Sequence, residues 1–600
     1  MAATADEKSK DLALGSPIDE KEASSLDDKL YDRESDDGLI EGSEGVTQHD
    51  LDTLRHVSDK LPMAAWLVVF VELSERWSYY GTTNIYNNYI RAPLPKFSRN
   101  GQVIIDRANG IAGALGKGQQ KSFAIRTFNS FFVYVTPFLG GILADTVWGR
   151  YNTIMIFSVV CLLGHVILVA SASPTSLQHP DTALGILVLA ITVMGIGAGS
   201  IKANVSPMIA EQYTGKLRKV TLPSGEVVVV SPSVTIQSIY LWFYAAINVG
   251  ACGAISASFL ARDHGYWIAF LIPTILFMLV PFILLLGKNK YVKTAPRGSI
   301  LLETLRVIRM ALGPRWSLNP VQTYRGIKAP DFWDPAKPSS YEAGKIPSKI
   351  TWDDEFVGEV GRTCNACAVF LFFPFYWLCY SQIDGNLGTV AAGMRLNGTP
   401  NDLIQNLNPV SIIVMIPIFD YLIYPYLRRK GINFSPIKRI YAGFIVAGFA
   451  MAYAAILQHY VYKTSPCHDN QPSACETADG LPNPSNLNVW IVSGPYILVG
   501  MSEIFASITS LEYAFTKAPT RMKSVVMAFS QLQVALSSAL NFALTAVNVE
   551  NKFTWLFGSF GVTAWIIGTI FFFTFRDLDR REIELNAIGK GPRDGFKGEE

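Results

Sequence analysis

Three ionisable residues interrupt an apolar stretch: Glu72, Glu75 and Arg76, in Val71-Glu72-Leu73-Ser74-Glu75-Arg76-Trp77-Ser78-Tyr79-Tyr80-Gly81. Read as a helix, their i, i+3 and i+4 spacing puts all three on one face. The surrounding run, Met63 to Ile90, is long enough to cross a bilayer. An ionised side chain at mid-bilayer costs about 2.5–3.5 kcal/mol, so three standing in lipid cost roughly 8–10 kcal/mol. That face must look onto partners or into a polar cavity. Carboxylates placed there can take up and release a proton as their surroundings change. A charge cluster that only locks helices together is the plainer alternative.

Four more polar residues break apolar runs. Lys202 follows the small residues of Gly195-Ile196-Gly197-Ala198-Gly199-Ser200, a pattern that lets helices approach closely. A lysine at that depth loses its proton or finds a carboxylate, and the expectation is that it pairs with the cluster at Glu72 and Glu75. Asn248, in Phe243-Tyr244-Ala245-Ala246-Ile247-Asn248, and Asn408, in Leu407-Asn408-Pro409, carry amides. An amide can donate to and accept from a peptide backbone without charge, or bond one helix to another. Glu503 lies in the other half of the chain from Lys202. One cation and one anion, one per half, suit a zwitterion with two charged ends.

The elements that hold these residues follow from composition. Half of the 600 residues are apolar and 17% are charged, against about 25% in soluble proteins. The expected fold class is an all-α polytopic membrane protein, with about twelve transmembrane helices in two six-helix bundles. The expected division is an acidic disordered tail at 1–60, a first bundle at 61–287, a linker at 288–361, a second bundle at 362–576 and a tail at 577–600. Residues 1–60 hold 17 acidic and 7 basic side chains and no apolar leader. Lys and Arg crowd the links after spans four, eight and ten, which places both termini in the cytoplasm. The loop after span one, with Arg91, Lys96, Arg99 and Arg107, runs against that trend. Basic residues are spread over loops without a stripe, so nucleic acid is not an expected partner.

Four loop features follow. Cys467 and Cys475 share a polar loop and can form a disulfide if it is extracellular. Asn397-Gly398-Thr399 is a glycosylation sequon on the same expected side. Lys219 to Val228 reads as a hairpin turning at Ser224-Gly225. Ile300 to Arg309 reads as a basic amphipathic helix lying along the membrane surface. Cys364-x-x-Cys367 opens a span without partners, and no cofactor or metal is expected.

Two resemblances follow from these residues. Gly141-Ile142-Leu143-Ala144-Asp145-Thr146-Val147-Trp148-Gly149-Arg150 resembles the loop signature of the major facilitator superfamily, with a degenerate copy at Asp420 before Arg428-Arg429-Lys430. It implies two halves that rock, latched by acid–base contacts at Asp145, Arg150 and Asp420. Glu-x-x-Glu-Arg-aromatic-x-Tyr-Tyr-Gly at Glu72 resembles the first-helix signature of the proton-coupled oligopeptide transporters. The surroundings of Lys202, Asn248, Asn408 and Glu503 resemble that family's motifs in order, and the hairpin resembles its fungal branch. By that likeness Lys202 holds a peptide carboxylate and Glu503 its amino end. Asn248 and Asn408 contact the backbone, Tyr79, Tyr80, Tyr134 and Trp377 line side-chain pockets, and Arg76 shares in anion binding. Departures are Thr83 where some relatives carry a second arginine, Arg126 or Thr127 where mammalian ones carry a histidine, and Ser381 where others carry an acid, with Asp384 one turn on.

The implied activity is import of di- and tripeptides across the plasma membrane with protons as coupling ion, by a monomeric unit in the bilayer. A same-family carrier of nitrate or an organic acid is the alternative, although Glu503 opposes an anion. A nutrient receptor that binds without transporting is another. A membrane enzyme needs clustered His, Cys or Asp, whereas the seven histidines are scattered and only His165 lies well inside a span.

Overall fold

The computed structural model describes residues 45–296, 298–342, 347, 350–430 and 434–588. Among them, eleven helices are long and apolar enough to cross a membrane. A twelfth, Met63–Thr83, has the length at 21 residues but carries the three charges of the opening cluster. About twelve spans were expected, and this is the number found. The expected single helix to Ile90 is instead interrupted at Asn84 and Ile85 and resumes as Tyr86–Arg91. The hydroxyls of Thr82 and Thr83 bond back to the carbonyls of Ser78 and Tyr79 just before the break, an arrangement that bends helices.

Two compact units make up the chain. The first runs to Gly298 and includes Leu396–Pro409 and Glu476–Asn483; the second holds Ser299–Arg395, Val410–Cys475 and the residues from Pro484 on. In the first unit, helices pack where side chains are missing. A Cβ on Gly140 would lie 2.4 Å from Ser200 Cα, and one on Gly197 2.4 Å from Cys161 Cβ. The glycine run before Lys202 therefore seats its helix, Pro180–Glu211, against Gly118–Leu143 and Arg150–Ser171. A Cβ on Gly250 would meet Arg76 Cβ at 2.6 Å, so the fifth span packs directly behind the cluster. In the second unit, rings fill the interior: Phe373, Tyr376, Phe444 and Phe571 meet with centroids 5.5–5.9 Å apart.

Three spans contain a π-helical turn: Ala144–Trp148, Ile418–Ile423 and Ile504–Ile508. Such turns rotate the side chains beyond them and recur at functional sites. The first contains Asp145, the second contains Asp420, and the third begins just after Glu503. The side chain of Asp420 lies outside the described residues.

The predicted hairpin is present as β2 (Arg218–Thr221) and β3 (Val227–Val230), turning at Gly225 with φ +84°. It has an unpredicted third strand. Residues 45–60, expected to be disordered, form a helix at Gln48–Thr53 and then β1 (His56–Val57), which pairs in parallel with β3. Acidity suggested disorder, but the acids have specific partners: Asp50 with Lys219 at 2.6 Å and Asp59 with Arg218 at 2.8 Å. Lys219 and the Thr47 amide and hydroxyl hold the Asp50 carboxyl down at about 2. Residues 1–44 and 589–600 lie outside the described residues, and the last helix, Phe553–Ile588, continues past the expected end of its span.

The expected helix after the first six spans is present at Ile300–Leu312. Its Val307 and Ala311 are fully buried with Trp352, Phe356, Val360 and Met522. Protein therefore covers part of its apolar face, while Leu305 on the same helix is exposed. The amphipathic period marks a face that needs cover, but it does not say which cover.

Candidate functional site

The first span brings its predicted residues together. Glu72, Glu75 and Arg76 are each at most 6% exposed. Arg76 Nε lies 3.0 Å from Glu72 Oε1 and 2.5 Å from Glu75 Oε2. One guanidinium thus holds two carboxylates, and the cluster carries one net negative charge when all three are ionised. Its guanidinium carbon also lies 5.6 Å from the Tyr79 ring, which stacks edge-on with Tyr80. The helix is fixed by its neighbours: Ser78 donates to the Pro273 carbonyl at 2.6 Å.

Lys202 does not pair as expected. It forms no ion pair among the described residues, and its ammonium sits 4.3 Å from the centre of the Tyr134 ring. Arg76 already occupies the carboxylates, and a ring face is the remaining attraction for a cation there. Lys202 is still near enough to feel both acids electrostatically. Asn248 is half-buried and donates to the carbonyl of Tyr244 on its own helix at 2.8 Å. Asn408 is 4% exposed and belongs to the first unit.

The second unit holds the other predicted residues. Glu503 is half-buried at the end of the helix Ser493–Glu503. The next residue back, Ser502, donates to the Gly443 carbonyl at 2.8 Å and is bonded to the Tyr376 hydroxyl at 3.2 Å. Trp377 packs between Tyr376 and Tyr380, with ring centroids 5.3 and 4.9 Å away. Aromatic surface and a carboxylate thus lie on neighbouring helices of one unit.

At the other predicted positions, Arg150 lies 3.9 Å from Asp145 and pairs more closely with Glu211, which sequence reasoning missed. Glu211 also accepts from Thr294 at 2.9 Å. Its signal was its place at the end of the fourth span, facing the basic end of the motif. Cys467 and Cys475 form a disulfide. Ser473 inside that loop bonds to the buried Glu550 through its amide and hydroxyl, at 2.8 and 2.6 Å. Asn397 is exposed.

A second buried polar network in the first unit was not anticipated. Asn88 Nδ2 donates to Asn401 Oδ1 at 2.6 Å and to Asp402 Oδ2 at 2.9 Å, and Arg91 donates to Asn88 Oδ1 at 3.2 Å. Asn84 donates to the Asp402 carbonyl, and Gln405 donates to the Asn84 carbonyl. The doublets Asn87-Asn88 and Asn401-Asp402 were the available signal.

Comparison with known proteins gives the chain its family. The family model described as "POT family" matches residues 151–566. The chain is 38% identical to "Peptide transporter PTR_B" of Candidozyma auris, covering 95% of this chain and 92% of that one. It is 36% identical to "Peptide transporter PTR2" of Saccharomyces cerevisiae, covering 93% and 86%. The crystal structure of the POT family transporter PepTSo superposes with a TM-score of 0.65 at 20% identity, covering 87% of this chain and 99% of that one, which shows a shared fold. The twelve spans, the charged first helix and relatives matched over nearly its whole length lead to one assignment: this multi-pass membrane protein belongs to the POT family of transporters.

Proposed function

We propose that this protein is a symporter that imports di- and tripeptides across the plasma membrane by alternating access, driven by protons. The observation that carries this reading is the buried cluster in which Arg76 holds Glu72 and Glu75 at 3.0 and 2.5 Å while Lys202, among the described residues, has no carboxylate partner. The names of the fungal relatives support peptide as the substrate. A proton arriving on Glu72 or Glu75 cancels one of the two charges that Arg76 balances. The cluster becomes neutral, and both Arg76 and Lys202 can then serve an incoming carboxylate. Lys202 takes the peptide's carboxyl end and Glu503 its amino end. Asn248 and Asn408 contact the backbone, and Tyr79, Tyr80, Tyr134 and Trp377 line the side-chain pockets. Proton loss restores the negative charge beside Lys202 and expels the peptide carboxylate by like-charge repulsion.

The bodies that rock are the bundles at 61–287 and 362–576, with Asp145, Arg150 and Asp420 as latch residues and both termini cytoplasmic. Asn397 is a glycosylation site on the outer face, and the transport unit is a monomer. A membrane potential supplies about 2.3 kcal/mol per charge per 100 mV, so a single proton drives substantial accumulation. The test is uptake of a labelled dipeptide into liposomes under an imposed pH gradient. Tripeptides should compete and free amino acids should not. Glu75→Gln should abolish accumulation while leaving peptide counterflow; a variant that still accumulates peptide against its gradient refutes the coupling scheme.

A further inference from the structure

Several buried ionisable side chains are unused in the scheme above, an imidazole among them. His165, on the helix Arg150–Ser171, is 1% exposed, and its Nδ1 makes no hydrogen bond among the described residues. Its ring lies against Phe277, with centroids 4.7 Å apart. An apolar side chain of similar shape would fill this place without leaving a polar atom unpaired, so packing alone does not account for an imidazole. A small pocket with room for about one water molecule adjoins the ring, and Glu75 lines the same pocket. The other titratable groups facing it are Tyr79 and Tyr86 from the first span and Cys161, one turn earlier on the histidine's own helix. The remaining spans around the pocket contribute only amide, thioether and apolar groups. Arg76 is tied to this region through Glu75.

We propose that His165 is the second proton-holding group of the coupling site, taking the proton that Glu75 gives up across the shared pocket. This inference rests on the peptide-symport reading and adds a residue to it. In the step, the O–H bond of the Glu75 carboxyl breaks and an N–H bond forms on the imidazole lone pair, directly or through one water. Glu75 becomes a carboxylate and His165 an imidazolium, so the charge of the pair is unchanged. The new carboxylate is received by Arg76, in the 2.5 Å contact the structure shows. Arg76 does not line the pocket through which the proton passes.

The experiment compares wild type, His165→Gln and His165→Phe as full-length chains in liposomes, measuring gradient-driven dipeptide accumulation and peptide counterflow side by side. Both variants are expected to keep counterflow within about two-fold and to lose accumulation at least about ten-fold, with the wild-type pH profile of uptake flattened. Accumulation and a pH profile equal to wild type in either variant overturn the proposal. Wild type without peptide counterflow overturns the peptide reading itself, a distinct result. Should neither variant yield folded protein, the test moves to ¹⁵N-histidine spectra of the chain with the other six of its seven histidines replaced. A ring that changes protonation between about pH 5 and 8, and stops doing so in Glu75→Gln, supports the proposal. A single neutral tautomer throughout that range overturns it.

Discussion

The two units solve the problem of a polar interior in opposite ways. In the first, two acids and a guanidinium are buried, with the half-buried Lys202 near them, among helices brought close by glycines. In the second, rings fill the interior, and Glu503 is the acid that sequence reasoning singles out there. Burying several opposite charges together keeps their sum near zero, so one proton changes the balance of the whole set. Glu503 instead adjoins Ser502, which is bonded to the Tyr376 hydroxyl. It offers a place for one ligand charge and its apolar neighbours. On the proposed reading, energy coupling belongs to the first unit, while recognition draws on both, through Lys202 in the first and Glu503 in the second.

Four measurements would break or sharpen that contrast. The largest effect is expected from paired variants of the two units. Glu75→Gln should reduce gradient-driven accumulation by the roughly fifty-fold that one charge crossing 100 mV supplies. Glu503→Gln should instead raise the half-saturating peptide concentration and leave coupling intact. If both variants uncouple, the division of labour is wrong. Next comes Lys202→Gln, which removes a charge-assisted contact of about 1.5–3 kcal/mol and so weakens peptide half-saturation about ten- to hundred-fold. Because Lys202 rests on the Tyr134 ring and has no ion pair among the described residues, melting temperature in detergent should stay near wild type. A collapse in stability would show that the lysine is structural.

Packing provides the third test. Gly140→Ala drives a Cβ to 2.4 Å from the Ser200 backbone, which cannot rotate away, and should cost about 1–3 kcal/mol in thermal unfolding. Gly558→Ala in the second unit meets nothing within 4 Å and should be neutral or slightly stabilising. The smallest effect is expected at the sheet. Asp50→Asn should speed hydrogen exchange at His56–Val57 without altering uptake. The Asp50 carboxyl is held down at about 2 in the fold against an ordinary 3.8. Its contribution is therefore full above pH 4 and lost only as pH falls through about 2.

Much of this was legible because lipid leaves little choice. Spans show as long apolar runs, and a charge inside one needs a reason, so Glu72, Glu75, Arg76 and Lys202 stood out at once. What the sequence did not determine was partnership. Lys202 was expected beside the acids, but i, i+4 geometry gave Arg76 the first claim on Glu72, and a tyrosine ring took the lysine. Asn88 and Asp402 were missed because their partners lie more than three hundred residues apart. The acidic stretch before span one was misjudged for a similar reason. Its net charge suggested solvent, while individual acids answered individual lysines and arginines in a distant hairpin.

That hairpin carries a practical consequence. β3 is a run of four valines, and β1 covers one of its edges. Trimming the chain beyond Val57 would strip that cover and leave a valine-rich edge with unsatisfied amides, a template for sticking to a second molecule. Shortened forms intended for crystallisation should accordingly start before the helix at Gln48.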